Sequence, residues 1–409
     1  MSKTQAWQAS FYVKESSPYV SSTECHLTPV FGILLRISRC MGVAPVRLRW
    51  CRGNSLIEVS RELVVFQRLI MILSSILLFI GVGYDFISNN HVRVGTAIFT
   101  AALWITEICL GMSICLIRAF KAPGTVDRLI ILLKQINKIN HGLNHGVSKV
   151  RCLKFGKLKL SLYMIGTFLL RISDFIWFQL NVDNPLVVTL YACFYYQDLS
   201  VQIIQLELAL VMAQMTSLVV GLNDHLHRLL QSISQNSDDV VNSKYRYLTI
   251  RQLAQYHEQI CDMVKAVDED SGPILLLSFM LVFLQLLITP YNLMAIVMHK
   301  RTELIIQQSC WSIFHLTSLL VLVEPCHWMQ DQMDHTRYLL TRLARRSADG
   351  DERFFKELEL FILQIQMKGA VIAPMGVFTI SRSLVASIIG SVTTYLAIII
   401  QMHDVNEML

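Results

Sequence analysis

Long apolar runs dominate this chain, each close to the roughly 20 residues a helix needs to cross a bilayer. They fall near 66–86, 94–117, 159–180, 187–219, 272–298, 303–326 and 377–402. A backbone in hydrocarbon must satisfy its own hydrogen bonds, so the pattern predicts seven transmembrane helices and an all-α membrane protein. The stretch 34–46 is also apolar, but it is short and broken by Arg36 and Arg39. It suits an amphipathic helix lying on the membrane surface. Helical periodicity continues beyond the spans with one polar face. Leu222, Leu226, Leu229 and Leu230 share a stripe, the spacing resumes over 247–267, and Phe354, Leu358, Phe361, Ile362 and Ile365 form another over 351–373. Such stripes need a partner, either within the chain or in another subunit. Pro374 and Gly376 stop the helix before the last run.

The resulting division has an N-terminal segment at 1–65 with the interfacial helix, and six spans over 66–326 with helical extensions at 220–271. Anchor helices follow at 327–376, then the last span at 377–402 and a tail at 403–409. Placement of Lys and Arg sets orientation. Eight basic residues precede the first span, and 118–158 holds nine against the single acid Asp127. The alternate connections are nearly bare: 87–93 holds only Arg93, and 181–186 holds none. The expected topology is therefore a cytoplasmic N-terminus, a cytoplasmic anchor region and an extracellular C-terminus.

Composition agrees with lipid as solvent. Of 409 residues 53% are hydrophobic and 16% charged, below the quarter or so usual in soluble domains, with a mean hydropathy of +0.47. The ten cysteines make no Cys-x-x-Cys pair, which argues against a zinc site or a disulfide framework. No phosphate-binding glycine loop or nucleophile elbow occurs, so no enzyme, cofactor or metal is expected. The basic stretch at 118–158 lies against spans and reads as a topology determinant near anionic lipid, not as a nucleic-acid surface.

In the last span, Ser387, Ser391, Thr394, Ile398 and Gln401 step by 4, 3, 4 and 3 and align on one face. A small polar stripe on an apolar helix serves either a water-filled pore or close helix packing. Other spans carry polar and aromatic groups: Arg171, Asp174 and Trp177; Tyr191, Tyr195 and Asp198; Gln285; and Gln307, Gln308, Trp311 and His315. Arg171 and Asp174, three apart, could pair on their own helix. The aromatics suit an interfacial belt or a pocket for a small organic ligand. Trp177, Tyr191, Tyr195, Gln308 and Trp311 are the candidate pocket residues. Arg382 could snorkel to the interface or face a pore.

Thr394-Tyr395, five apolar residues and then Gln401 resemble the C-terminal signature of insect gustatory receptors. Met41-Gly42-Val43-Ala44-Pro45 resembles the Gly-x-x-Pro turn before their first span. The resemblance covers the order of elements over about 30–402. It implies a multi-pass plasma-membrane receptor of a chemosensory neuron acting as a ligand-gated, non-selective cation channel. A small-molecule tastant would bind in the outer half of the bundle, and four like or related subunits would assemble through the cytoplasmic anchor. The last span would line the pore, with Gln401 and the next residue as the constriction. That residue is Met402 where the family has Phe. An olfactory-type subunit needing a co-receptor, or a metabotropic seven-span receptor, are the alternative readings.

Overall fold

The computed structural model describes residues 23–25, 29–51, 54–88, 98–143, 149–181, 185–234, 240–298, 302–346 and 352–408. Among the described residues nine α-helices follow one another: α1 (Pro29–Cys40), α2 (Arg61–Ser88), α3 (Ile98–Gly142), α4 (Lys149–Asn181), α5 (Pro185–Ser234), α6 (Val240–Met298), α7 (Thr302–Arg346), α8 (Glu352–Met367) and α9 (Arg382–Met408). Among the described residues six helices are long and apolar enough to cross a membrane, and α9 adds a shorter apolar stretch over Arg382–Ile398. The chain is thus a nearly all-helical, multi-pass membrane protein.

The spans are parts of longer helices. The stretch 118–158, expected as a loop, is helical as far as Gly142 and again from Lys149. The reason is periodicity: Val126, Ile130, Leu133, Ile136 and Ile139 recur on one buried face. Pro123 interrupts this helix by lacking an N–H, which leaves the Ala119 carbonyl without its usual partner. Arg68 of α2 supplies donors instead, Nε to the Ala119 oxygen at 3.4 Å and Nη2 to the Phe120 oxygen at 3.3 Å. Likewise α6 joins the amphipathic 247–267 segment to the fifth span in one 59-residue helix. The last helix begins at Arg382, five residues after the expected start at 377, because Pro374–Gly376 form a single 3-10 turn and the residues flanking it are irregular.

Helix α5 is the hub. Its apolar stretch is 72% buried, against 22% for α4, and it packs against α1, α2, α3, α4, α6 and α7. The peripheral helices turn apolar rows outward: Val65, Leu69, Leu73, Ile76 and Ile80 on α2, and Leu162, Ile165, Leu169, Ile172 and Ile176 on α4. Rows of that size exposed at 3–4-residue spacing belong against lipid.

The N-terminal segment holds a small antiparallel sheet in the order β1 (Thr23–Cys25), β3 (Asn54–Val59), β2 (Val46–Cys51). Val46 faces Val59 and Cys51 faces Asn54. The alternation Val46-Arg47-Leu48-Arg49-Trp50 has the period of a strand. The amphipathic helix expected at 34–46 lies earlier in the chain, as α1, and gives way over 41–46 to a turn and the start of β2; it also does not simply lie on lipid. Phe31, Leu34 and Leu35 are fully buried in the protein core, while Ile33, Arg36 and Arg39 face outward. The turn after α1 places Gly42 at φ +64°, against the side chains of Ile70 and Phe66. Gln67 Nε2 donates to the Val43 carbonyl at 2.5 Å and the Tyr196 hydroxyl to that of Met41 at 2.6 Å, which fixes this turn between α2 and α5.

Candidate functional site

Two features of the fold carry polar chemistry inside an apolar frame. The first is α9. Val385 and Val392 are buried, and Leu384, Ile388 and Leu396 pack beside them against α6 and α7. On the opposite side Ser387, Ser391, Thr394, Ile398 and Gln401 are all exposed. Each hydroxyl there donates to the carbonyl four residues back: Ser387 to Ser383 at 3.0 Å, Ser391 to Ser387 at 2.9 Å and Thr394 to Gly390 at 2.9 Å. With the proton directed into the helix, the oxygen presents acceptor lone pairs outward. The Met402 side chain lies outside the described residues. Arg382, at the start of the helix, is exposed and engages α7. Its Nε reaches Glu324 Oε2 of α7 at 3.2 Å and its Nη2 the other oxygen, a two-pronged pair.

The second feature is a buried polar spine on α5. Gln197 donates to Ser74 and Ser75 of α2 at 3.3 and 2.9 Å. Asp198 pairs with Arg171 of α4, whose guanidinium carbon lies 4.1 Å from the ring centroid of Trp311 on α7. Gln202 accepts from the Tyr163 hydroxyl of α4 at 2.5 Å, and Gln205 from Ser318 of α7 at 3.2 Å. Glu207 pairs with Arg118 of α3 at 2.6 Å. Buried charge in a membrane is tolerated only when partnered, and here the partners come from four different neighbours.

Arg171 and Asp174 do not pair along their own helix. Arg171 reaches across to α5, while Asp174 accepts from the Tyr195 hydroxyl at 2.6 Å and from Gln307 of α7. Tyr195 and Trp311 therefore sit in one network around Arg171, Asp174 and Asp198. Tyr191 lies in an adjoining aromatic layer, 4.2 Å from Phe178 and 5.6 Å from Trp104 between ring centroids. Trp177 and Gln308 are half-buried on α4 and α7. Among the described residues, Gln202 Nε2, Gln205 Nε2, Gln285 Oε1 and His315 Nδ1 are buried without a hydrogen-bond partner. These leftover donors and acceptors suit water or a polar ligand among α4, α5, α6 and α7. Sequence reading passed over Gln202, Gln205, Tyr163 and Ser318. The signal was present, since Asp198, Gln202 and Gln205 step by 4 and 3 within an apolar run.

Below the spans, α8 packs Phe354, Leu358, Phe361 and Ile365 against α6 and α7. Lys368 Nζ meets Glu258 at 2.9 Å and Asp262 at 3.4 Å, and the Glu258 carboxylate raises its pKa above the ordinary lysine value. His257 is buried against the edge of Phe361, and burial pushes its pKa from 6.5 down to about 4. From here the chain reaches α9 through residues 368–381, held by Ile380 N to the Ile372 carbonyl at 3.1 Å and by Phe378 edge-on to Phe279.

Comparison with known proteins bears on this architecture. The family model described as 7tm Chemosensory receptor matches residues 31–406. A curated relative, "Gustatory receptor for sugar taste 43a" of Drosophila melanogaster, is 26% identical over 165 residues, 40% of this chain and 38% of the relative. Among solved structures, the insect olfactory receptor OR5 from Machilis hrabei is similar with a TM-score of 0.63 at 13% identity, covering 91% of this chain and 97% of that one. The same receptor in complex with eugenol gives a TM-score of 0.60 at 13% identity.

Proposed function

This chain belongs to the 7tm Chemosensory receptor family, and from that premise we propose that it is a gustatory receptor working as a ligand-gated, weakly selective cation channel. The observation that carries the reading is the face of α9. A membrane helix that turns Ser387, Ser391, Thr394 and Gln401 away from its own bundle needs water or another copy of itself against that face. Four copies around one axis would line a conduit with hydroxyl and amide oxygens, whose lone pairs attract cations without the selectivity of a charged ring. Met402 would follow Gln401 as an apolar constriction that dewets when closed. Subunits would join through the anchor formed by α8 and the inner halves of α6 and α7.

Ligand would enter the polar region among α4, α5, α6 and α7, where Trp311, Tyr195, Gln308, Tyr191 and Trp177 offer aromatic faces and hydrogen-bonding groups. The curated relative is named for sugar taste, and the unpartnered amides and imidazole suit a hydroxyl-rich ligand, so sugars are the first tastants to try. Binding would shift the helices around α5 and draw α9 outward.

The test is current from the chain expressed alone, in excised patches without nucleotide, combined with single-cysteine variants. S391C, T394C and I398C should react with a water-soluble thiol reagent only when agonist is present. V392C and L396C should stay unreactive. Equal labelling of the two faces would defeat the pore assignment, and current that needs cytosolic nucleotide would favour a metabotropic receptor.

A further inference from the structure

We propose that the basic foot of α2, together with β2 and the end of α1, is a binding site for the headgroup of an anionic lipid. Within the described part of 29–62 there are five arginines, Arg36, Arg39, Arg47, Arg49 and Arg61, against Glu58 and Glu62. Arg39, Arg47 and Arg61 are exposed. Among the described residues, the acidic contact made by these three is Arg47 to Glu62 at 3.5 Å, with the glutamate 86% exposed, and a pair of that geometry in water holds its charges weakly. The fold gathers them. Gly42 N donates to the Arg39 carbonyl at 3.0 Å, and Gly42 lies beside Phe66, about one and a half turns along α2 from Arg61. Arg47 lies in the strand that follows and reaches Glu62.

Immediately above this cluster the surface becomes apolar. Val65, Phe66 and Leu69 of α2 are 50%, 51% and 63% exposed, and Phe120 of α3 is 58% exposed. Arg68 stays tied between the two helices, on the Ala119 and Phe120 carbonyls. Guanidinium groups directly beneath an acyl-facing strip match the two halves of an anionic lipid: headgroup on Arg39, Arg47 and Arg61, chains along Val65, Leu69 and Phe120. The basic side is the cytoplasmic side by the charge rule, where anionic lipids are concentrated. This assignment does not depend on the channel reading. The α1 helix and sheet wedge against α5 through the Met41–Tyr196 bond, so a lipid held there braces the hub of the bundle.

The test is native mass spectrometry of the full chain in detergent, titrated with dioleoylphosphatidylserine or dioleoylphosphatidylcholine. The serine lipid should remain bound at energies that strip the choline lipid. Neutralising one arginine should weaken it about fivefold, and R39Q/R47Q/R61Q roughly a hundredfold, since each basic residue near a membrane surface adds about one such increment. R345Q/R346Q, which removes two exposed charges at the far end of α7, should bind as the parent does. If the triple variant elutes abnormally on gel filtration, R39Q alone gives the reading. Equal retention of the two lipids would overturn the proposal. So would undiminished binding by the arginine variants, or full displacement by soluble glycerophosphoserine, which would make the site one for a free phosphate ester.

Discussion

Removing one member of the Arg118–Glu207 pair should be far more damaging than removing both. The two side chains are 7% and 5% exposed, with nitrogen and oxygen 2.6 Å apart. At about 4 Å between charge centres and an effective dielectric near 20, their attraction is about 4 kcal/mol. Desolvating each ion costs several kcal/mol, so the pair gains little in net terms. Its satisfaction is also incomplete, because Arg118 Nε and Glu207 Oε1 have no hydrogen-bond partner among the described residues. R118M or E207M alone would leave a lone charge inside the bundle and should destabilise by about 3–5 kcal/mol. R118M/E207M replaces both with apolar groups of similar length and should return to within about 1 kcal/mol of the parent. Unfolding midpoints in mixed detergent–dodecyl sulfate micelles, followed by tryptophan fluorescence, measure all three. R382M, which breaks an exposed pair of similar chemistry, should hardly move the midpoint. Single variants as mild as R382M, or a double variant whose loss equals the sum of the singles, would refute the view that α3 and α5 are joined here through buried charge.

The packing of α8 on α6 should weaken in acid. His257 has a folded pKa of about 4 against 6.5, so the unfolded chain takes up a proton that the folded chain does not. Stability is complete above pH 6.5 and falls as pH drops towards 4, by about 3 kcal/mol at the limit. H257L should flatten that part of the profile in pH-dependent unfolding. G42A should cost about 2 kcal/mol, because it combines the left-handed backbone penalty with a Cβ only 3.2 Å from Ile70 Cγ2. G376A, equally left-handed but with nothing near the new Cβ, should cost about 1 kcal/mol. Equal losses would remove the packing part of the argument.

The spans were legible because an apolar run of membrane length has few other uses, and the α9 stripe was legible because 387, 391, 394, 398 and 401 repeat at helical spacing. The same spacing at Asp198, Gln202 and Gln205 went unused, although it marks the most connected face of the hub. Partner choice was not local. Arg171 and Asp174 satisfy the rule for a pair on one helix, yet each is taken by a group from elsewhere in sequence. Three helices crowd this point, and Tyr195 and Gln307 can supply Asp174 with protons while Arg171 spans the gap to Asp198. The continuation of α3 past 118 was hidden by its charges, which occupy the exposed face, while Val126, Ile130 and Leu133 hold the buried one.

The placement of these pairs gives a route from the polar region to α9. Trp311 lies against Arg171, and Glu324, which grips Arg382, is on the same helix thirteen residues later. A helix rises about 1.5 Å per residue, so α7 spans about 20 Å between the two contacts as one element. On the proposed channel reading, a ligand that displaced Arg171 would shift the upper contact, and α7 would transmit that shift to the first turn of α9. The expected consequence is a separation of binding from opening. E324Q removes the charge that holds Arg382 but touches nothing near Trp311, so maximal agonist current should fall, while agonist affinity, measured by radioligand displacement on membranes, should change only by the coupling factor, about fivefold for a coupling of about 1 kcal/mol. W311A should do the reverse and weaken binding first. If E324Q lowers affinity as much as W311A does, α7 is not a lever between two sites, and the Glu324–Arg382 pair is only a fastening at the foot of the bundle.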